Sequence, residues 1–198
     1  MTVDACPSRA SALALLEEWI ANPALRRHCR CVEAAMRAYS RKFGEDEERW
    51  GITGLVHDFD WERHPDAGRH PAAGVAILRE KGWPEDICRA VLGHASYTGV
   101  PRDTRMARAL FACDELCGFL VACSQVMPDR SLASVEVASV KKKLKRADFA
   151  RNVNRDDIVN GAAELGVDLD EHIALCIEAM KGIAGELGLD GPANTVRQ

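Results

Sequence analysis

The stretch ALFACDELCGFLVAC, residues 109–123, is apolar on nearly every side of a helical wheel. A helix with no face to give to solvent must run through the middle of whatever the chain builds, with other elements packed around it. The other long segments repeat their apolar residues with helical period, and neither an alternating strand of convincing length nor an internal repeat interrupts them. The expected fold class is therefore all-α. Helices are expected to open at Ser8, a serine cap, and after Pro23. Others are expected over 46–56, from Pro71, and over 84–94, 104–126, 134–147, 155–165 and 170–187. The best internal break is PDRS at 128–131. The expected organisation is a single all-helical domain over 1–190, with a C-terminal helical extension at about 131–190 beyond that break and a loose tail over 191–198.

A chain of 198 residues, 47% hydrophobic and 28% charged, is long enough to bury one sizeable core. Its net charge of -4 gives no general reason to bind nucleic acid or an anionic membrane, so any anion site must be local. The eight cysteines lack paired C-x-x-C spacing, and several sit on apolar helical stretches, which reads as reduced core thiols rather than a disulfide frame or zinc cage. In HCRC (28–31), Cys29 and Cys31 project from other sides of the helix than His28. Asp4, Arg9 and Glu17 break the N-terminal sequence before a signal or membrane-length apolar run can form. A soluble cytoplasmic protein is expected.

Several polar residues fall where the pattern asks for core. In the second helix Leu25, His28, Val32, Ala35, Met36 and Tyr39 share one face, and Arg26, Arg30, Glu33 and Arg37 the opposite one. His94 shares a face with Ile87, Ala90 and Val91, while Asp114 lies in line with Leu110, Cys117 and Val121. His57 and Asp58, in GLVHDFDWERH (54–64), close an apolar helical run. One buried histidine is ordinarily satisfied by a backbone carbonyl, and one aspartate by a cap or an arginine. A lone ionised carboxylate in an apolar helix is otherwise strongly unfavourable. Convergence of His28, His57, Asp58, His94 and Asp114 from separate helices is explained by one shared cation. Imidazole and carboxylate donors without thiolate suit divalent iron, manganese, magnesium, cobalt or zinc.

The same residues resemble the HD superfamily of metal-dependent phosphohydrolases, whose pattern is H, then HD, then D on a helical core. Here it reads LRRHCRCVEAA (His28), GLVHDFD (His57 and Asp58) and ALFACDELCGF (Asp114), in family order and over roughly 23–125. AVLGHASYTGVPRDT and SVKKKLKRADFARNVNR extend the similarity to a subgroup of small bacterial predicted HD hydrolases, with no substrate attached. The resemblance implies an HD-domain helical bundle that hydrolyses a phosphomonoester or phosphodiester, a nucleotide being the favoured phosphorylated small-molecule partner, by metal-activated water. His57 and Asp58 are the expected catalytic pair.

His70 and His94, 24 residues apart, resemble the two extra histidines of binuclear members. With them, four histidines and two aspartates hold two ions if Asp58 bridges, which is the favoured count. Otherwise His70 caps its helix and the site is mononuclear. HDFD stands where many relatives carry HDIG, and no GYP element is present, which makes cyclic-di-GMP a poor substrate. The same ligand set also occurs in mixed-valent di-iron oxygenases of this fold, and a nucleotide-sensing module is a third alternative.

His64, in a polar loop, and His172, in the first turn of the last helix, are expected at the surface. The basic run SVKKKLKR makes an amphipathic helix whose lysines are either a solvated face or a phosphate clamp. In the clamp reading Lys141, Lys145 and Arg155 bind substrate. Nucleic acid is not expected there, because aromatics are not interleaved.

Overall fold

The computed structural model describes residues 7–191 and, over them, contains α-helices, short 3-10 turns and one isolated bridge between Ser131 and Asp190. The helices are α1 (Arg9–Trp19), α2 (Pro23–Phe43), α3 (Glu47–Val56), α4 (Ala72–Glu80), α5 (Glu85–His94), α6 (Arg105–Gln125), α7 (Val137–Leu144), α8 (Arg155–Leu165), α9 (Leu169–Lys181) and α10 (Ala184–Leu187). The chain is all-α, as its periodicity requires. Among the described residues no helix is long and apolar enough to cross a membrane.

The apolar stretch runs through the middle, as expected: α6 packs against α2, α5, α8 and α9, and buries Leu110, Cys113, Leu116, Cys117, Phe119 and Leu120. All seven described cysteines are free and buried; Cys6 lies outside the described residues. Side-chain oxygens start the helices where the sequence offers them. Ser8, Asn22, Asp46, Thr104, Asn154 and Asp168 each accept an N–H of the following first turn. The α2–α3 crossing is close because Gly54 has no side chain. A Cβ there would lie 2.9 Å from the Val32 carbonyl oxygen.

Three expectations differ. The helix expected over 170–187 is two helices, divided at Gly182 and Ile183. The one expected over 134–147 is shorter, α7 being preceded by a 3-10 turn at Leu132–Ser134. Glu33 is not on an outer face but 3% exposed, because α1 brings Arg9 to it (2.6 and 3.0 Å) and Arg37 adds a bond of 2.9 Å. Two guanidinium groups compensate that carboxylate, and a wheel drawn for α2 alone contains neither α1 nor its arginine.

His172 is fully buried rather than at the surface. Its Nε2–H donates to the Ala112 carbonyl of α6 (2.9 Å), and its Nδ1 accepts from the Tyr39 hydroxyl of α2 (2.6 Å). Burial pushes its pKa down to about 4, against an ordinary value of 6.5. Between those pH values the unfolded chain takes up a proton that the folded chain refuses. Stability therefore falls as pH is lowered through this window, by up to about 3 kcal/mol. Denaturant unfolding at a series of pH values from 7.5 to 4 should show this loss in the wild type, and His172→Gln should lack that component. An identical pH slope in the variant would show that His172 is not its source.

Candidate metal centre

The centre is assembled from five places in the chain. Asp46 caps α3, whose residues Trp50–Val56 are all buried, and the helix ends as His57 takes up its C-cap. Successive turns then bond Phe59 N–H to the Val56 carbonyl and Trp61 N–H to the Asp58 carbonyl, so the chain reverses with His57 and Asp58 inside. His28 comes from the first half of α2, Asp114 from the middle of α6, His94 from the last position of α5, and His70 from just before α4.

Their donor atoms converge. His28 Nε2 lies 3.0 Å from Asp114 Oδ1 and 3.2 Å from His57 Nε2, and His57 Nε2 is 3.4 Å from the same Asp114 oxygen. Asp58 turns Oδ2 toward this set, 3.6 Å from His57 Nε2 and 3.9 Å from His28 Nε2. Its other oxygen, Oδ1, faces a second set, 3.3 Å from His70 Nε2 and 3.4 Å from His94 Nε2, which are themselves 3.3 Å apart. The ligand atoms of each set lie within 4.8 Å of one another, which forms two metal-sized groups: His28, His57, Asp58 and Asp114, and Asp58, His70 and His94. Asp58 belongs to both.

The outer nitrogens decide which way the lone pairs point. His57 Nδ1 faces the Gly54 carbonyl (2.8 Å), His94 Nδ1 the Val91 carbonyl (2.5 Å) and His70 Nδ1 the Asp60 carboxylate (2.8 Å). Each Nδ1 must donate, so in the neutral rings the Nε2 lone pairs face inward. There they meet carboxylate oxygens, and acceptor against acceptor is repulsive unless positive charge lies between them. The titration behaviour expresses the same demand. Burial disfavours the charged forms throughout, yet the aspartates hold His57 and His94 above their ordinary value and His70 at about 9. Conversely, despite burial, the histidines hold Asp58 and Asp114 well below the usual carboxylate range. Divalent cations would meet this demand without protonating the rings, and the imidazole–carboxylate donor set fits them.

Asp60 was not singled out by sequence reasoning. Its side chain is 1% exposed, with Oδ1 on His70 Nδ1 and Oδ2 accepting the Gly74 N–H (2.9 Å). A Cβ on Gly74 would fall 2.6 Å from the Asp60 carboxyl carbon, so the approach needs glycine. The second acid of HDFD was the available signal. Outer carboxylates of this type fix the tautomer and raise the basicity of a metal-binding histidine. Asp60→Asn is therefore expected to weaken metal binding at the His70/His94 group by about 10- to 100-fold with helical content unchanged. Competition titration against a chromophoric chelator measures this, and wild-type affinity would reduce Asp60 to packing.

A cavity of about 570 Å³ opens onto both groups. Beyond the centre its wall includes Trp61, Tyr97, Phe111, Glu115, Asn154 and Asp157, and among the described residues no lysine or arginine lines it. Trp61 and Tyr97 are exposed, and the Tyr97 hydroxyl donates to the His70 carbonyl (3.2 Å). Burial, with Asp114 adding to it, raises Glu115 to about 7.

The basic residues expected to clamp substrate stand elsewhere. Lys141 pairs with Asp170 of α9 (2.7 Å), and Lys145 is exposed at the end of α7. Arg155 donates to the Phe149 carbonyl and, at 2.8 Å, to the Val153 carbonyl, tying down the loop before α8. None of the three lines the cavity: the apolar stripe of α7 docks on α6 and α9 and directs its lysines away, and Arg155, on α8, is turned to the carbonyls of the preceding loop. His64 is half-buried, with its Nδ1 shielded from solvent.

No curated protein and no solved structure matches the chain. The family model described as HD domain matches residues 25–117, a span that holds all six residues of the two groups. With its H, HD and D placed around one centre, this part of the chain is an HD domain, a family whose members are in general metal-dependent hydrolases.

Proposed function

We propose that the protein is a metal-dependent phosphohydrolase acting on a phosphomonoester or phosphodiester. The observation that carries this reading is Asp58, with one carboxylate oxygen turned toward each of two donor groups. His28, His57 and Asp114 would hold one ion, His70 and His94 the other, and Asp58 both. Two such ions, when bound, lower the pKa of a water and neutralise phosphoryl oxygens, which is the chemistry P–O cleavage needs.

The chain itself supplies aim and enclosure. Asp60 fixes the His70 ring, and the Gly54 and Val91 carbonyls fix those of His57 and His94. The cavity has the volume of a small-molecule site. Trp61 and Tyr97 offer aromatic surface for a base, while Glu115 and Asp157 offer acceptors for sugar hydroxyls, features that suit a nucleotide. With no lysine or arginine on the wall among the described residues, phosphate charge would be met at the metal centre. This favours one phosphoryl group over a triphosphate chain.

The test is anaerobic purification with metal analysis, then phosphate release from nucleoside monophosphates, triphosphates and a small artificial phosphodiester, with oxygen uptake followed on the same sample. Metal-dependent phosphate release with monophosphate or diester preferred is the expected result. Oxygen consumption without phosphate release would replace hydrolysis by di-iron oxygenase chemistry. Absence of any turnover by the metal-loaded protein would leave a binding module.

A further inference from the structure

A second cavity, of about 670 Å³, lies between α1, the start of α2 and α10, and shares no lining residue with the first. Four arginines line it: Arg9, Arg26, Arg27 and Arg30. Two have carboxylate partners, Arg9 with Glu33 and Arg30 with Glu186. The other two have none among the described residues. Arg26 donates only to backbone, at the Ile20 and Glu17 carbonyls (2.5 and 2.8 Å), and Arg27 only to the Leu187 carbonyl at 3.5 Å. Carbonyl oxygens satisfy hydrogen bonds but carry no compensating charge, and the Glu17 and Glu186 carboxylates on the same wall make no ion pair with either arginine among the described residues.

Those charges sit where a helix tolerates them least. Arg26 and Arg27 are within the first five residues of α2, whose N-terminus carries the positive end of the helix dipole. The first turn of α2 holds no acid of its own, whereas α3, α5, α8 and α9 each place two there, and Glu62 meets this N-terminus at the Asn22 N–H (2.9 Å) without an ion pair to Arg26 or Arg27 among the described residues. A further donor is unspent: Arg30 Nε is shielded from water and has no acceptor. A shielded N–H without a partner is costly, and an anion in place of the exposed Glu186 carboxylate would supply one. Leu13, Leu16 and Leu187 give the same cavity an apolar wall.

We propose that this cavity is a binding site for a small phosphorylated molecule, separate from the metal centre. Planar guanidinium forks match the oxygens of a phosphate group, and the leucines take the apolar body that carries it. Neither the HD motif nor the hydrolase reading calls for this site, and it stands whether or not that reading does.

The test is calorimetric titration with inorganic pyrophosphate of the full chain carrying Asp114→Asn, which disables the metal centre, beside the wild type. One saturable event per chain is expected in the variant, and the same event in the wild type beside any binding at its metal centre. Adding Arg27→Gln should weaken it by about 10- to 100-fold, the value of a charge-assisted hydrogen bond. Arg27→Lys, which keeps the charge and loses the fork, should fall between and serves if the glutamine variant does not fold. Wild-type affinity in the Arg27 variants, or no saturable binding at millimolar pyrophosphate, would overturn the proposal. So would loss of the event with Asp114→Asn alone, since that places the anion at the metal centre.

Discussion

Asp58→Ala is expected to deplete both metal groups and abolish metal-dependent turnover while the helical fold persists. Asp58 is the one residue common to the two groups, so its loss leaves the second with His70 and His94 alone. Losing a direct ligand there should cost more than the roughly 10- to 100-fold in affinity that outer-sphere partners are worth. The first group keeps His28, His57 and Asp114 but loses half of its carboxylate charge. The fold is expected to survive because the core around α6 is built from apolar contacts that Asp58 does not join. Circular dichroism, metal per chain and phosphate release on one preparation check all three parts. Two ions retained in Asp58→Ala would show that the shared geometry has no role in binding metal.

What made the fold legible was hydrophobic period. An apolar run such as 109–123 has few ways to be satisfied, and its helical neighbours follow. The six residues of the centre were visible for the converse reason, being polar on faces that should be apolar or falling into the spacing of a known motif. What stayed hidden depends on where one helix meets another. Glu33 reads as an outer residue until Arg9 of α1 arrives, and His172 reads as a first-turn surface residue until the Ala112 carbonyl and the Tyr39 hydroxyl meet its two nitrogens. Asp60 is two positions beyond Asp58, yet its partner His70 comes ten residues later, across a turn that the sequence pattern does not specify. Lys141 and Lys145 show the limit from the other side. The amphipathic pattern of α7 was plain, but which way its lysines face relative to a centre on α2, α3 and α6 is set by docking on α9.

Paired substitutions should separate the two groups by stoichiometry. In His94→Ala the second group is reduced to Asp58 and His70, while the first keeps all four donors, so metal content should fall by about one ion per chain without emptying the centre. Asp114→Ala takes a carboxylate from the first group and leaves two imidazoles with the Asp58 oxygen; at least one ion should be lost, and with it metal-dependent activity. The losses differ in kind, because Asp114 supplies charge as well as a ligand atom, whereas His94 supplies only a neutral donor whose other nitrogen is held by Val91. Raising free metal should therefore refill the His94→Ala centre more readily than the Asp114→Ala centre. Metal analysis after dialysis at stepped free-metal concentrations reads this directly. A wild-type content of one ion would confine the chemistry to the group around His28, His57 and Asp114 and make His70 and His94 supports of Asp58 rather than a second metal site, whereas two ions persisting in His94→Ala would remove His94 from the ligands.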